Sequence, residues 1–129
     1  MRQNNNKYPL LFSPIEVGKI TLPNRTVMAP MSNALLDENG AVTQKYIDYF
    51  VERAKNDVGL IVLHPAYIVK SLRPAHLSIA DDRYIPGLSE LTEAVKAVGS
   101  RIVLQLSYRG TQEIGQVGRN VDEMSLAEI

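Results

Sequence analysis

The chain has 129 residues, which is enough for one ordinary domain with a core of its own. Lysine and arginine together number 14, as do aspartate and glutamate, so the formal net charge is zero and no basic excess points to nucleic acid. The absence of cysteine excludes disulfides, thiolate metal sites and cysteine nucleophiles in this segment. No apolar run reaches the roughly 18 residues of a membrane span, so we expect a soluble, cytoplasmic protein with no membrane partner.

The chain opens with a polar, Asn-rich stretch that lacks the apolar run of a signal peptide. We therefore predict a disordered lead-in over residues 1–8 and a folded portion over residues 9–129. The folded portion begins with a hairpin over residues 14–22, in which Gly18 supplies the positive φ of a tight turn before Lys19. Residues 26–29 then form a short apolar strand that Pro30 stops.

A helix is predicted to start near Thr43, whose hydroxyl can cap it. The side chains expected on its buried face recur at spacings of three and four; they are Tyr46, Phe50, Arg53 and Ala54. Asn56 and Asp57 end this helix. The following apolar run, residues 58–63, is typical of a strand buried on both faces, and His64 and Pro65 bound it.

A second helix is predicted after Pro86 and Gly87, and it ends at Gly99. Its apolar face consists of Leu88, Leu91, Val95 and Val98. A third buried strand follows over residues 101–107. A polar loop is expected over residues 111–122, and Ser125 with Glu128 forms the start of a further helix.

Alternating strands and helices predict a parallel sheet, and two α/β architectures fit: an open doubly wound sheet or part of a (β/α)₈ TIM barrel. The glycine-rich fingerprint of nucleotide-binding doubly wound folds is missing after the first strand, which disfavours that alternative. Three strands would leave sheet edges unpaired, and a full barrel needs about 250 residues. We therefore expect a barrel fragment, or a piece that pairs with another.

Residues just past the strands matter most in a barrel, because active sites form at the carboxyl ends of its strands. Gln105 is the most informative of them. A glutamine within an apolar strand needs partners, and its amide could bond the polar edge of a flat heterocycle. The alternative is a core glutamine bonded to neighbouring backbone.

Three further groups, of one or two residues each, have two interpretations. His64 could bind substrate or transfer protons, or it could be structural. Tyr108 and Arg109 could line a pocket that favours an anionic group, or form a surface pair. Met31, with Met28, could pack against a cofactor ring or fill the core. No spacing of acidic residues indicates a metal site.

Five segments of the chain form a specific pattern: residues 11–15 (LFSPI), residues 22–31 (LPNRTVMAPM), residues 49–55 (YFVERAK), residues 86–95 and the pair Gln105–Leu106. In this order they resemble the Old Yellow Enzyme family of FMN-dependent reductases. This resemblance implies the N-terminal hairpin and about three βα units of a (β/α)₈ barrel that holds FMN. In that family, hydride passes from NADH or NADPH through FMN to an alkene activated by a carbonyl.

The resemblance also implies roles for individual residues. Those expected to line the flavin ring are Ala29, Pro30, Met31 and Ser32, with Pro65 in the place of a small residue; Gln105 would bond the pyrimidine edge of the ring. Tyr108 stands where the family has histidine, which puts substrate preference in doubt. The family's main catalytic residues are expected beyond Ile129, which leaves Tyr108 and His64 as the candidates in this chain.

The sequence thus carries two hypotheses. In the first, the chain is part of an ene-reductase that acts on a small enone or enoyl substrate. In the second, it is a non-catalytic truncated barrel that binds no flavin alone and either self-associates or pairs with a complementary piece, the remainder of the barrel.

Overall fold

The computed structural model describes residues 7–69 and 76–108. Its elements, in chain order, are β1 (Ile15–Val17), β2 (Ile20–Leu22), β3 (Val27–Met28), α1 (Gln44–Lys55), β4 (Leu60–Tyr67), a single 3₁₀ turn (Asp82–Tyr84), α2 (Ile85–Ala97) and β5 (Arg101–Ser107). The loop predicted over residues 111–122, the helix start at Ser125 and the residue Arg109 lie outside the described residues, as does most of the predicted lead-in. None of the helices described is long and apolar enough to cross a membrane.

The predicted hairpin is confirmed. Ile15 pairs with Leu22 and Val17 with Ile20 in an antiparallel ladder, which leaves a two-residue turn. Gly18 occupies the first position of this turn with φ +59°, a conformation that residues with a Cβ adopt at a cost.

The other three strands form one parallel sheet in the order β3-β4-β5. Val27 pairs with Leu60, and Leu60 with Arg101, so the three strands run side by side in the same direction. Helices α1 and α2 connect successive strands and contact each other. Their apolar faces pack on one face of the sheet, and the buried centre of this core includes Phe50, Ile61, Leu63, Leu91 and Val95.

Helix α1 begins and ends as its sequence predicts. The Thr43 hydroxyl accepts a hydrogen bond from the Tyr46 amide at 3.2 Å, and Asp57, just past the C-cap, adopts φ 64°. Its buried face contains Ile47 in addition to the predicted apolar residues, whereas Arg53 is only half-buried. The Arg53 guanidinium instead lies 3.2 Å from the centre of the Tyr49 ring, where a cation over an aromatic face keeps contact with water.

The bounds of strand β4 differ from the predicted ones. It starts at Leu60 and continues through His64 and Pro65 to Tyr67, rather than stopping after residue 63. The register with β5 shifts between Leu63 and Ala66, so that β4 holds one residue more than its partner strand. Such a bulge accommodates a proline, because its nitrogen has no hydrogen to give to the ladder.

The structure also corrects the predicted start of helix α2. Pro86 and Gly87 were expected to precede this helix, but both belong to its first turn. Proline suits that place because the first amides of a helix have no intrahelical acceptor and its φ is already helical. The helix is followed by Gly99 with φ +94°, as the sequence predicts.

Strand β5 has the predicted bounds but not the predicted burial on both faces. Ile102 and Leu104 pack on the helical layer, whereas Arg101, Val103 and Gln105 are exposed on the other face. Val103 keeps 40% of its surface exposed. The reason is that α1 and α2 cover one face of the sheet. The opposite face, which we call the open face, leaves Val27 and Val103 exposed.

Candidate cofactor site

The parallel sheet brings three segments predicted to bind a cofactor to a single edge. Met28 pairs with Ile61, and Ile61 with Ile102, so the chain leaves β3, β4 and β5 at the same end. Ala29 directly follows β3, while Pro65 and Gln105 lie near the carboxyl ends of β4 and β5. This is the edge at which barrel enzymes place their active sites.

The ladder register places Pro65 and Gln105 on the same face. Ala66 pairs with Leu106, and the residues that precede this pair are Pro65 and Gln105, whose side chains therefore project to the opposite side from Ala66. Ala66 belongs to the core beneath the helices, so the other side is the open face. Ala29 lies just beyond the last ladder pair of β3, Met28 with Ile61, and is exposed.

Gln105 carries the polar chemistry of this face. Its side chain is exposed, and no residue within 7–69 or 76–108 forms a hydrogen bond with its amide. The neighbouring backbone therefore does not satisfy it, which was the alternative interpretation. The amide offers two donor hydrogens and one acceptor oxygen, the pattern needed to bond a ring edge that alternates N–H and C=O groups.

The segment that follows β3 is open to solvent. Ala29, Pro30, Met31 and Ser32 are all exposed, and Met31 keeps 66% of its surface accessible. Met28 packs against the core, so the two methionines differ in environment.

Asn33, one residue further on, was not identified from the sequence. Its Oδ1 accepts a hydrogen bond from the Leu35 amide at 3.3 Å, but its Nδ2 is buried and has no hydrogen-bond partner among the described residues. The available signal was an amide side chain directly after a segment that leaves a strand at the candidate edge. A buried, unpaired donor at this place is unusual, since most such atoms are bonded.

His64 does not line the open face. It is 1% exposed, and its Nδ1 lies 3.1 Å from the hydroxyl of Tyr46 on α1, with the two rings edge to face at 5.6 Å. Burial lowers the pKa of His64, with the nearby His76 acting in the same direction, and burial raises the pKa of Tyr46. Both groups are therefore neutral near pH 7, and this geometry favours the structural interpretation of His64.

Tyr108 follows β5 directly and is 47% exposed, at the same edge as Gln105. No hydrogen bond to its hydroxyl is found within the described residues. Arg109, the next residue and the other one expected to line this pocket, lies outside the described residues. The described ranges contain no group of three His, Asp or Glu side chains that could hold a metal ion.

A hairpin followed by parallel strands with helices on one face, and with candidate residues at the carboxyl edge, defines the class: an N-terminal portion of a (β/α)₈ barrel. A model of the NADH:flavin oxidoreductase / NADH oxidase family matches residues 10–124. The chain belongs to this family, as its resemblance to Old Yellow Enzyme predicted.

Similar proteins agree on the class. The chain is 40% identical over 108 residues to an NADH oxidase of Thermoanaerobacter brockii, covering 81% of this chain and 17% of that protein. It is 36% identical over 103 residues to an NADPH dehydrogenase of Bacillus subtilis, covering 78% of this chain and 30% of that protein. The chain thus spans less than a third of the length of these relatives.

Solved structures show the same fold. Old Yellow Enzyme from Pichia sp. AKU4542 superimposes with a TM-score of 0.73 at 30% identity, over 82% of this chain and 30% of that one. Morphinone reductase superimposes with a TM-score of 0.67 at 33% identity, over 74% of this chain and 25% of that one. The family is enzymatic, and its cofactors are FMN and a nicotinamide nucleotide.

The open face fits part of a flavin site. A flat, largely apolar ring needs small or apolar contacts on its side and polar partners at its pyrimidine edge. Ala29 and Pro65 are small, apolar side chains at this edge, and the Gln105 amide, which bonds no described residue, offers a donor and an acceptor on the same face as Pro65. These are the chemical features that one wall of such a site requires.

Proposed function

We propose that the chain is the N-terminal part of an FMN-dependent oxidoreductase of the ene-reductase type and that it supplies one wall of the FMN site. The residues assigned to this wall are Ala29, Pro30, Met31, Ser32, Pro65 and Gln105. One observation carries the proposal: the register of β4 and β5 puts Pro65 and Gln105 on the same open face, and Ala29 leaves β3 toward the same edge.

FMN, when bound, supplies the redox chemistry by which hydride passes from NADH or NADPH to the alkene substrate. The chain's own residues would bind the flavin ring and fix its orientation. The Gln105 amide would bond the pyrimidine edge of the ring, and residues 29–32 would contact the ring mainly through their backbone. By fixing the orientation of the ring, these residues would lower the entropic part of the barrier to hydride transfer.

The substrate class proposed is a small alkene conjugated to a carbonyl, such as an enone or an enoyl ester. The names of similar proteins support it, since they include a cinnamate reductase of Clostridium sporogenes and a 2-naphthoyl-CoA reductase. Tyr108 is the candidate for a substrate contact, because its exposed ring follows Gln105 by three residues at the same edge. A cytoplasmic location would supply the nicotinamide nucleotide.

The proposal is tested by FMN titration of a barrel in which residues 1–129 replace the matching N-terminal residues of the Bacillus subtilis NADPH dehydrogenase. Retention of a yellow species with quenched flavin fluorescence is the expected result. A folded chimera that releases FMN on gel filtration, while the parent enzyme retains it, overturns the assignment. Circular dichroism supplies the evidence of folding, so loss of flavin is distinguished from loss of structure.

A second candidate function is a non-catalytic fragment that binds no flavin by itself. The observation in its favour is the solvent-exposed open face, where Val27 and Val103 remain 55% and 40% accessible. Titration of residues 1–129 alone separates the two candidates. Binding at micromolar FMN supports the first, and no binding at high micromolar FMN, together with a chimera that loses its flavin, supports the second.

A further inference from the structure

The bulge in β4 turns a histidine away from the open face. In a regular strand, His64 would project to the same side as Val62, but the register gains one residue between Leu63 and Ala66. His64 and Pro65 together lie opposite Gln105, so the regular alternation of side chains is interrupted at this point. Leu63 and His64 are both buried, and Pro65, which precedes the core residue Ala66, takes the place on the open face.

One side chain of the helical layer meets the histidine in this position. The Tyr46 hydroxyl lies 3.1 Å from His64 Nδ1, and the Tyr46 ring contacts both the His64 and Phe50 rings edge to face. Tyr46 is 0% exposed and lies in the first turn of α1, which Thr43 caps. The helix start therefore holds the hydroxyl at a fixed point above the bulge.

We infer that Tyr46 is a positioning residue: through its hydrogen bond to His64 it holds the β4 bulge in the register that presents Pro65 to the flavin. This inference rests on the proposed function and deepens it. Tyr46 and His64 are both buried and would not touch the cofactor. Without the bond, the buried imidazole nitrogen loses its partner, and the bulge can move by one residue to a register that returns the histidine to the open face.

Tyr46→Phe tests the inference in the full chain, since it removes the hydroxyl and keeps the ring. We expect the FMN dissociation constant to rise about three- to tenfold, the effect of one lost hydrogen bond. We also expect the absorption maximum of bound FMN and the amide resonances of Ala66 and Gln105 to shift. Tyr49→Phe is the matched control: Tyr49 lies on the same helix, packs against Arg53 and Phe50, and should leave all three readouts unchanged.

The double variant Tyr46→Phe/His64→Leu separates positioning from simple stability. Replacement of both partners by apolar groups should restore much of the thermal stability, because no buried polar atom is left unpaired. The flavin affinity should stay low, since nothing then fixes the bulge. Recovery of both stability and flavin affinity in the double variant overturns the inference.

The remaining outcomes also decide it. Unchanged Ala66 and Gln105 resonances in Tyr46→Phe overturn the inference whether or not the chain binds FMN. If Tyr46→Phe shifts these resonances but the wild-type chain binds no FMN, Tyr46 does hold the bulge, and the result counts against the proposed function instead. Shifted resonances with unaltered flavin affinity overturn the link to the cofactor.

Discussion

The side chain of Asn24 donates a hydrogen bond of 2.9 Å from Nδ2 to the main-chain carbonyl of Asp57, which joins the start of β3 to the loop that enters β4. Asn24 Oδ1 accepts bonds from the amide and the hydroxyl of Thr26, and that hydroxyl accepts one from the Gly59 amide at 3.0 Å. A Cβ on Gly59 would lie 2.8 Å from the Asn24 carbonyl oxygen, so this position requires glycine. The network lies at the amino ends of the strands, the face of a barrel that serves stability.

Asn24→Ala is expected to lower the free energy of unfolding by about 1–3 kcal/mol, because it removes one of the two donors to the part-buried Asp57 carbonyl and the acceptor of the Thr26 amide. Urea unfolding followed by circular dichroism measures the change. Asn56→Ala is the control, since the exposed Asn56 side chain bonds only Glu52 among the described residues; a loss under about 1 kcal/mol is expected there. Equal losses in the two variants would contradict a special role of the Asn24 network.

The pH dependence of stability should depend on His64. Its pKa is lowered by burial from the ordinary value of 6.5, so the unfolded chain binds a proton at a higher pH than the folded chain does. The free energy of unfolding should therefore be constant above about pH 7 and fall as the pH decreases through 6.5 toward the lower pKa of the folded state. Melting temperatures between pH 5 and pH 8 measure this fall.

His64→Gln should flatten that profile, because glutamine has no charge to gain and can still bond the Tyr46 hydroxyl. His76→Gln serves as the comparison, since His76 is only half-buried. A profile that keeps its full slope in His64→Gln would show that another group controls the acid side.

Gln105→Leu is expected to weaken FMN binding about tenfold, because the variant removes both the donor and the acceptor of the amide. The melting temperature of the flavin-free protein should change little, since the side chain is exposed and bonds no described residue. The control is Gln44→Leu, the same change on the exposed start of α1, where the one side-chain hydrogen bond of Gln44 to a described residue is to Asp48. Unaltered flavin affinity in Gln105→Leu would remove this residue from the site.

Residues 1–129, expressed alone, are expected to self-associate through the open face. Val27 and Val103 are exposed apolar side chains of the same sheet, and β5 is an edge strand of the described sheet. Val103→Lys should shift sedimentation toward the monomer, since a charge on the open face is costly to bury. Val17→Lys places the same charge on the distant hairpin and should have no such effect. A wild-type chain that sediments as a monodisperse monomer would contradict the expectation.

Much of the fold follows from local pattern. Gly18 marks the hairpin turn, Thr43 the start of α1 and Gly99 the end of α2, because a positive φ or a hydroxyl cap is a requirement of the backbone at that residue alone. The bulge in β4 could not be predicted in this way. It depends on how many residues β4 and β5 set against each other, which is a property of the pair of strands.

The sequence by itself determined the alternation of strands and helices, the family and the residues that leave each strand toward the candidate edge, since all three are encoded in short runs of neighbouring residues. Only the tertiary structure decided which side each residue faces. His64 and Pro65 are adjacent in the chain, yet one enters the helical layer to meet Tyr46 and the other remains on the open face with Gln105. The physical reason is that a single extra residue in a strand reverses the alternation of side chains after it, and its position is set by contacts with a partner strand and a helix far along the chain.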